Sequence, residues 1–269
     1  MVMQIILLLI LAVFQVTVTD YLVTNPDFYQ LDAYTWESDR FRALSLGDMV
    51  ADRKMVDVDA VTVWMIENEY DLTDVKEAPA VSKRVEKSRP AEYRKLRNAY
   101  ETIFKDLKYF PVPASTDAGT PDVTYENGWM DNRTYGGERG HEGCDIMGNQ
   151  RARGFYPVVS ISDGVVEKVG WLEKGGWRIG VRTPSGLYVY YAHLYDYSKD
   201  WKEGDPVRAG ELLGFMGDTG YSAIEGTTGN FDVHLHIGLY LRTDHYEELS
   251  VNPYWVLKYL EKYRLRYRY

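Results

Sequence analysis

Cysteine is almost missing from this chain of 269 residues: Cys144 stands alone. One thiol excludes an internal disulfide framework and any metal site built from several cysteines. Histidine is nearly as sparse, with five copies, so a cluster of them is informative. Positive charge is in deficit too. A formal net charge of −9 gives no general attraction for nucleic acid, and none is expected as a partner. A uniform charge of that sign would repel other anionic polymers equally, so net charge identifies no partner. Charge of either sign is absent from residues 2–18, which include the apolar run 5–14. That stretch reads as the apolar part of a secretory signal or a short membrane anchor. No positive residues precede it and no small-x-small cleavage site follows; a buried strand or helix is the alternative.

What is present suits a packed globule: 45% hydrophobic and 14% aromatic residues argue against disorder. The 23 tyrosines fit a core first and aromatic ligand walls second. Residues 20–108 read as mainly helical, with Tyr93, Leu96, Tyr100, Ile103 and Leu107 at helical spacing. The segment Tyr109-Phe110-Pro111-Val112-Pro113 breaks that pattern and marks a boundary. Because the connector is short, the helical region is expected to cover or shape whatever groove follows. Beyond it, short β-forming runs at 157–161, 164–169, 177–182, 187–194 and 233–241 are separated by turns such as Ser162-Asp163-Gly164. The fold class is therefore α+β: a glycine-rich antiparallel β-sheet domain preceded by a small, mainly helical region. Residues 253–269 return to helical spacing, and their basic tail (Lys262, Arg264, Arg266, Arg268) reads as a solvated face.

Four of the five histidines lie in the strand-rich half; His245 follows a charged turn and reads as an ordinary surface residue. In Val233-His234-Leu235-His236-Ile237-Gly238-Leu239, alternation sends Val233, Leu235, Ile237 and Leu239 to one face. His234 and His236 then project together from the other, with Cα atoms ~7 Å apart. In Gly140-His141-Glu142-Gly143-Cys144-Asp145, a straight strand would hold His141 and Asp145 ~13 Å apart. Shared ligation at ~2 Å bonds requires a bend, and Gly143 is suited to permit it. Two imidazole nitrogens and one carboxylate oxygen form a three-ligand set that leaves a fourth zinc position for water. Alternation aims Cys144 away from Asp145, so it reads as a packing residue and not as a ligand or nucleophile. In Val189-Tyr190-Tyr191-Ala192-His193-Leu194, His193 would share a strand face with Tyr191 and Val189.

Histidine, three residues and aspartate, then a Tyr-Ala-His-Leu strand, a glycine-rich approach and His-Leu-His, in that order, resemble the lysostaphin/LytM family of zinc metallopeptidases. The likeness includes Asp163-Gly164-Val165-Val166, Gly204-Asp205-Pro206-Val207, Gly217-Asp218-Thr219-Gly220 and Val251-Asn252-Pro253, and covers roughly residues 111–255. The resemblance implies a groove over one sheet, Zn²⁺ held by His141, Asp145 and His236, and His193 and His234 flanking the reacting water as catalytic groups. It implies peptide bonds of bacterial peptidoglycan as substrate. The corresponding division is 1–19 signal or anchor, 20–108 helical region, 109–255 peptidase domain and 256–269 basic tail, placed outside the cytoplasm. An inactive wall-binding or partner-recruiting module of this fold, or a zinc peptidase acting on a protein, would share these motifs. The sequence departs from the family pattern at residues 221–232, a longer run before the histidine pair, expected to border the groove. Neither oligomeric state nor the bond cut is legible.

Overall fold

The computed structural model of the chain describes residues 2–25, 30–81, 84–149 and 151–269. Helix α1 (Val2–Thr24) is 23 residues long and nowhere buried. At ~1.5 Å per residue it extends ~34 Å, enough for a hydrocarbon core of ~30 Å. With a mean hydropathy of 2.4 over an 18-residue window, it is long and apolar enough to cross a membrane.

The helical region contains α2 (Asp39–Ala43), α3 (Gly47–Ala51), α4 (Val58–Glu67), α5 (Arg84–Ser88) and α6 (Pro90–Phe104). Side-chain caps start two of them: Ser38 accepts from the Phe41 amide and Asp57 from the Ala60 amide. Pro90 opens α6, where its missing N–H costs nothing. Tyr93, Leu96, Tyr100 and Ile103 form the buried stripe of α6, as their spacing predicts.

Strands follow in chain order: β1 (Ala114–Ser115), β2 (Thr124–Tyr125), β3 (Asn132–Arg133), β4 (Arg139–Gly140), β5 (Cys144–Met147), β6 (Pro157–Val159) and β7 (Gly164–Leu172). Then come β8 (Gly176–Arg182), β9 (Tyr188–Tyr197), β10 (Pro206–Val207), β11 (Leu212–Met216), β12 (His234–Leu241) and β13 (Leu249–Val251). Helix α7 (Tyr254–Leu260) and strand β14 (Arg266–Tyr267) end the chain. The main sheet runs β10-β7-β8-β9-β12-β5-β2, with β11 joined to β9 and β13 to β12. Its pairings are antiparallel, in keeping with the α+β expectation. In the tail, β14 pairs in parallel with β1, and Arg264 makes a two-pronged bond to Asp122.

Leu235, Ile237 and Leu239 of β12 point into the core, and His234 and His236 lie on the opposite face. Strand β9 does not keep its alternation. Its register against β8 shifts between the pairs Tyr191–Ile179 and Leu194–Trp177, and His193 adopts φ +62°. The expectation that His193 shares a face with Tyr191 and Val189 is therefore corrected. Tyr191 and Val189 are core residues, while the bulge turns His193 to the groove beside Tyr190 and Ala192. One hydrophobic cluster runs through helices and sheet alike, including Phe41, Tyr100, Ile237 and Leu257.

Candidate metal centre and groove

Strand β12 lies between β5 and β9 and pairs His236 with both Asp145 and Ala192. Loop residue His141, just before β5, swings over the same point. Its Nε2 is 3.1 Å from Asp145 Oδ1 and 3.1 Å from His236 Nδ1, which is itself 2.9 Å from that oxygen. Three atoms that can each serve as a metal ligand thus converge. Bonds of ~2.0–2.1 Å in a tetrahedral site separate donor atoms by ~3.3 Å, so this triangle fits one face of such a site.

The tautomers support the fit. His141 Nδ1 lies 3.0 Å from the carbonyl of Gly128, which can only accept, so Nδ1 carries the hydrogen. In the neutral ring Nε2 is then a lone pair facing a carboxylate oxygen, an arrangement that a cation satisfies. Arg133 on β3 donates from Nη2 to Asp145 Oδ2 at 2.7 Å and leaves Oδ1 to the histidines. Burial opposes ionisation of Asp145, but bonds with His141 and His236 and nearby histidine charge outweigh it, holding the carboxyl well below the usual range. Burial keeps His236 below its ordinary value against the pull of Asp145, favouring the neutral ring that metal binding needs.

The other two histidines border this point. His193 is 5% exposed, its ring centroid 4.7 Å from that of His234 and 6.0 Å from that of His236. Its Nδ1 donates to the Thr219 carbonyl at 2.7 Å, and His234 Nδ1 donates to that of Asp232 at 2.7 Å. Both rings therefore turn Nε2 outward as an acceptor. Burial, then the nearby His234 and His236, push His193 well below its ordinary value. His245 is exposed and hydrogen-bonds Glu37, away from the site.

All five candidate site residues line one groove of about 710 Å³, within the ~300–1,000 Å³ of ligand sites. The long 221–232 loop borders it: Tyr221 stacks on Tyr135 at 4.5 Å, and Phe231 meets His193 edge-on at 4.6 Å. Among the described residues, none of the helical region is in its lining, so of the expected covering or shaping of the groove only an indirect shaping is seen. The helical region reaches the site indirectly: Arg42 on α2 pairs with Glu142, next to His141, at 2.6 Å and holds the Ser250 hydroxyl at 2.8 Å. Sequence spacing gave no signal for Arg133 or Arg42, because both contacts are long-range.

Gly143 is needed for space here and not for a left-handed turn. A Cβ there would lie 2.3 Å from His236 Cε1 and 2.8 Å from the Ile237 carbonyl oxygen. Gly143→Ala should therefore displace the His236 ring and lower metal per folded chain, with a stability loss of ~1–3 kcal/mol. Metal analysis beside thermal unfolding checks this; unchanged metal content would show that the ring has room to move. Cys144 is buried with Sγ toward the Glu126 carbonyl, and burial pushes its thiol up to about 12. The folded chain should resist iodoacetamide at pH 8 and react only after unfolding; rapid alkylation by mass spectrometry would contradict the packing role.

The sequence profile of Peptidase family M23 matches residues 139–253. The L-Ala–D-Glu endopeptidase of Bacillus subtilis is 40% identical over 173 residues, covering 64% of this chain and 50% of that protein. Lysostaphin of Staphylococcus simulans is 41% identical over 84 residues, 30% of this chain and 16% of that one. This chain thus spans about half the length of the first relative and less of the second. A crystal structure from Ruminococcus gnavus, provisionally described as a LytM glycyl-glycine endopeptidase, shares 38% identity and a TM-score of 0.77, over 90% of this chain and 98% of that one. With 98% of that structure matched at 38% identity, and with the family profile matching residues 139–253, this chain belongs to peptidase family M23.

Proposed function

We propose that this chain is a zinc-dependent endopeptidase that hydrolyses peptide bonds of bacterial peptidoglycan. The observation that carries the reading is the three-atom ligand triangle of His141, Asp145 and His236 beside two histidines whose Nε2 atoms face the same groove. Zinc held by His141 Nε2, Asp145 Oδ1 and His236 Nδ1 would acidify a water toward pKa ~7 and polarise the scissile carbonyl. Arg133 fixes the orientation of Asp145, and the Gly128 carbonyl fixes that of His141. His193, held neutral by burial, can take a proton at Nε2 from the attacking water and return it to the leaving amine. His234, once protonated at Nε2, can donate to the developing oxyanion. Tyr221 and Phe231 form an aromatic wall beside His193.

The division that goes with this reading is a leader or anchor over 1–19, a helical region over 20–108, a peptidase domain over 109–255 and a tail over 256–269. Its place is outside the cytoplasm, supported by the exposed apolar helix α1. Residues 1–30 fused to a reporter active only after export should yield activity; reporter confined to the cytoplasm would remove that placement. The central test is zinc per folded chain beside fragments released from sacculi. One zinc with new amino termini is expected; intact sacculi at full zinc loading would defeat the peptidase reading.

A further inference from the structure

Although the chain is acidic overall, the groove is lined by Arg133, Arg139, Lys168, Lys174 and Arg178. Two of its three acidic residues are already matched with arginine: Asp145 with Arg133 and Glu142 with Arg42. Glu248 is the third. Arg178 is the groove cation whose own strand, β8, pairs directly with β9. It lies on β8 between Trp177 and Ile179, at the register shift opposite Ala192 and His193, and Ala192 pairs with His236. One line across adjacent strands therefore runs from Arg178 through Ala192 to His236 and Asp145. Two strand spacings of ~4.8 Å put the Arg178 backbone ~10 Å from that of His236. Extended peptide advances ~3.3 Å per residue, so the guanidinium serves a group within about three residues of the bond held at the ligand triangle.

Arg178 Nη1 is buried without a hydrogen-bond partner, as are Arg133 Nε and Arg139 Nε, but among the described residues Arg133 is paired with Asp145 while no carboxylate pairs with Arg178. The strand neighbour across from it on β7 is Gly170, above which there is open space: a Cβ there would meet nothing within 4 Å. The Arg178 side chain borders the groove with no carboxylate of the described residues paired to it, so its charge is available to an acid group held there. Its planar fork matches a carboxylate in two-pronged fashion. We propose that Arg178 is a specificity-determining residue that binds a free carboxylate of the substrate, close to the scissile bond. The substrate class is an acidic peptide, in which an acidic residue is joined to the chain through one carboxyl and leaves the other free. An uncharged glycyl bridge offers no such group. Lys174 and Arg139 add longer-range attraction from the groove walls. The assignment rests on the peptidase reading and narrows it.

The test uses the zinc-loaded full chain and peptides made uncleavable by N-methylation of the scissile amide. One contains Ala–D-Glu with the second glutamate carboxyl free, one has that carboxyl amidated, and one is pentaglycine. Calorimetry should show the free-carboxylate peptide binding ~10–100-fold more tightly than its amide, the range of a charged hydrogen-bonded contact. The preference should fall toward one in Arg178→Gln and return in part in Arg178→Lys, which keeps the charge without the fork. A carboxylate that bound the zinc instead would keep its preference in Arg178→Gln, which overturns the proposal. Equal affinities for the acid and amide peptides, or no binding of the acid peptide, overturn it too. Cleavage of the unmethylated set separates the two readings. If nothing is cut, the peptidase reading fails while the binding ratio still decides the subsite; if all are cut at equal rates, the subsite fails and the peptidase stands.

Discussion

His236→Ala should lose zinc, and His234→Ala, two residues away on the same strand face, should keep it. His236 Nδ1 is one corner of the ligand triangle, at 2.9 Å from Asp145 Oδ1. Removing it leaves two protein ligands, and affinity should fall by more than the ~10–100-fold that outer-shell substitutions cost. It also leaves Asp145 with one imidazole fewer to oppose its burial, so some stability goes with the metal. His234 Nε2 is 3.7 Å from the same oxygen, outside the triangle, and its Nδ1 is committed to the Asp232 carbonyl. His234→Ala should therefore retain one zinc per chain and lose ~10²–10⁴-fold in turnover, the usual contribution of a positioned acid or base. His193→Ala should behave like His234→Ala, since the Thr219 carbonyl and not a ligand fixes its ring. The readout is zinc per folded chain beside the rate of muropeptide release in all three variants. Zinc lost in His234→Ala and kept in His236→Ala would reverse the two roles. Full zinc and full rate in all three would place the site elsewhere.

The strand β12 was legible because it is regular. Period-two alternation sent Leu235, Ile237 and Leu239 inward and the two histidines outward, and the structure agrees. Alternation failed on β9 because a bulge intervenes at His193, a non-glycine residue at φ +62° that no turn motif announces. The structure still brings His193 to the groove, but the resemblance pointed there and strand geometry did not. The local motif accounts for a bend at Gly143, whereas its packing against His236 depends on a strand far along the chain. Arg133 carries no sequence signal for the same reason: its partner Asp145 is reached only when the β3–β4 hairpin brings it to β5. Helical spacing found the buried stripe of α6 but could not say which surface it covers. That surface is made first by helix α4, then by strand β12 and, through Phe104, by Tyr259 of the C-terminal helix.

That packing sets the expectation for a chain shortened to begin at Lys108: it should fail to fold cooperatively. Helix α2 packs on β13, α3 on α7 and α6 on β12. The covered residues include Val251, Val256, Leu257 and Leu260, all fully buried. At ~1.5–3 kcal/mol for each such side chain, exposing these four costs ~6–12 kcal/mol, comparable with the ~5–15 kcal/mol that stabilises a whole domain. Polar ties go as well. The Ser185 amide loses Asp106, Lys262 loses the Ala51 carbonyl, and Phe104 no longer meets Tyr259. Arg42→Ala in the full chain is the graded version. It removes the bonds to Glu142 and Ser250 and should cost ~1–3 kcal/mol, while loosening the loop that carries His141. Thermal and denaturant unfolding, with zinc per chain measured alongside, check both. A shortened chain that melts in one sharp transition near the parent midpoint, with full zinc, would show that the sheet domain stands alone. The helical region would then be an attachment, and Arg42→Ala should leave zinc affinity unchanged.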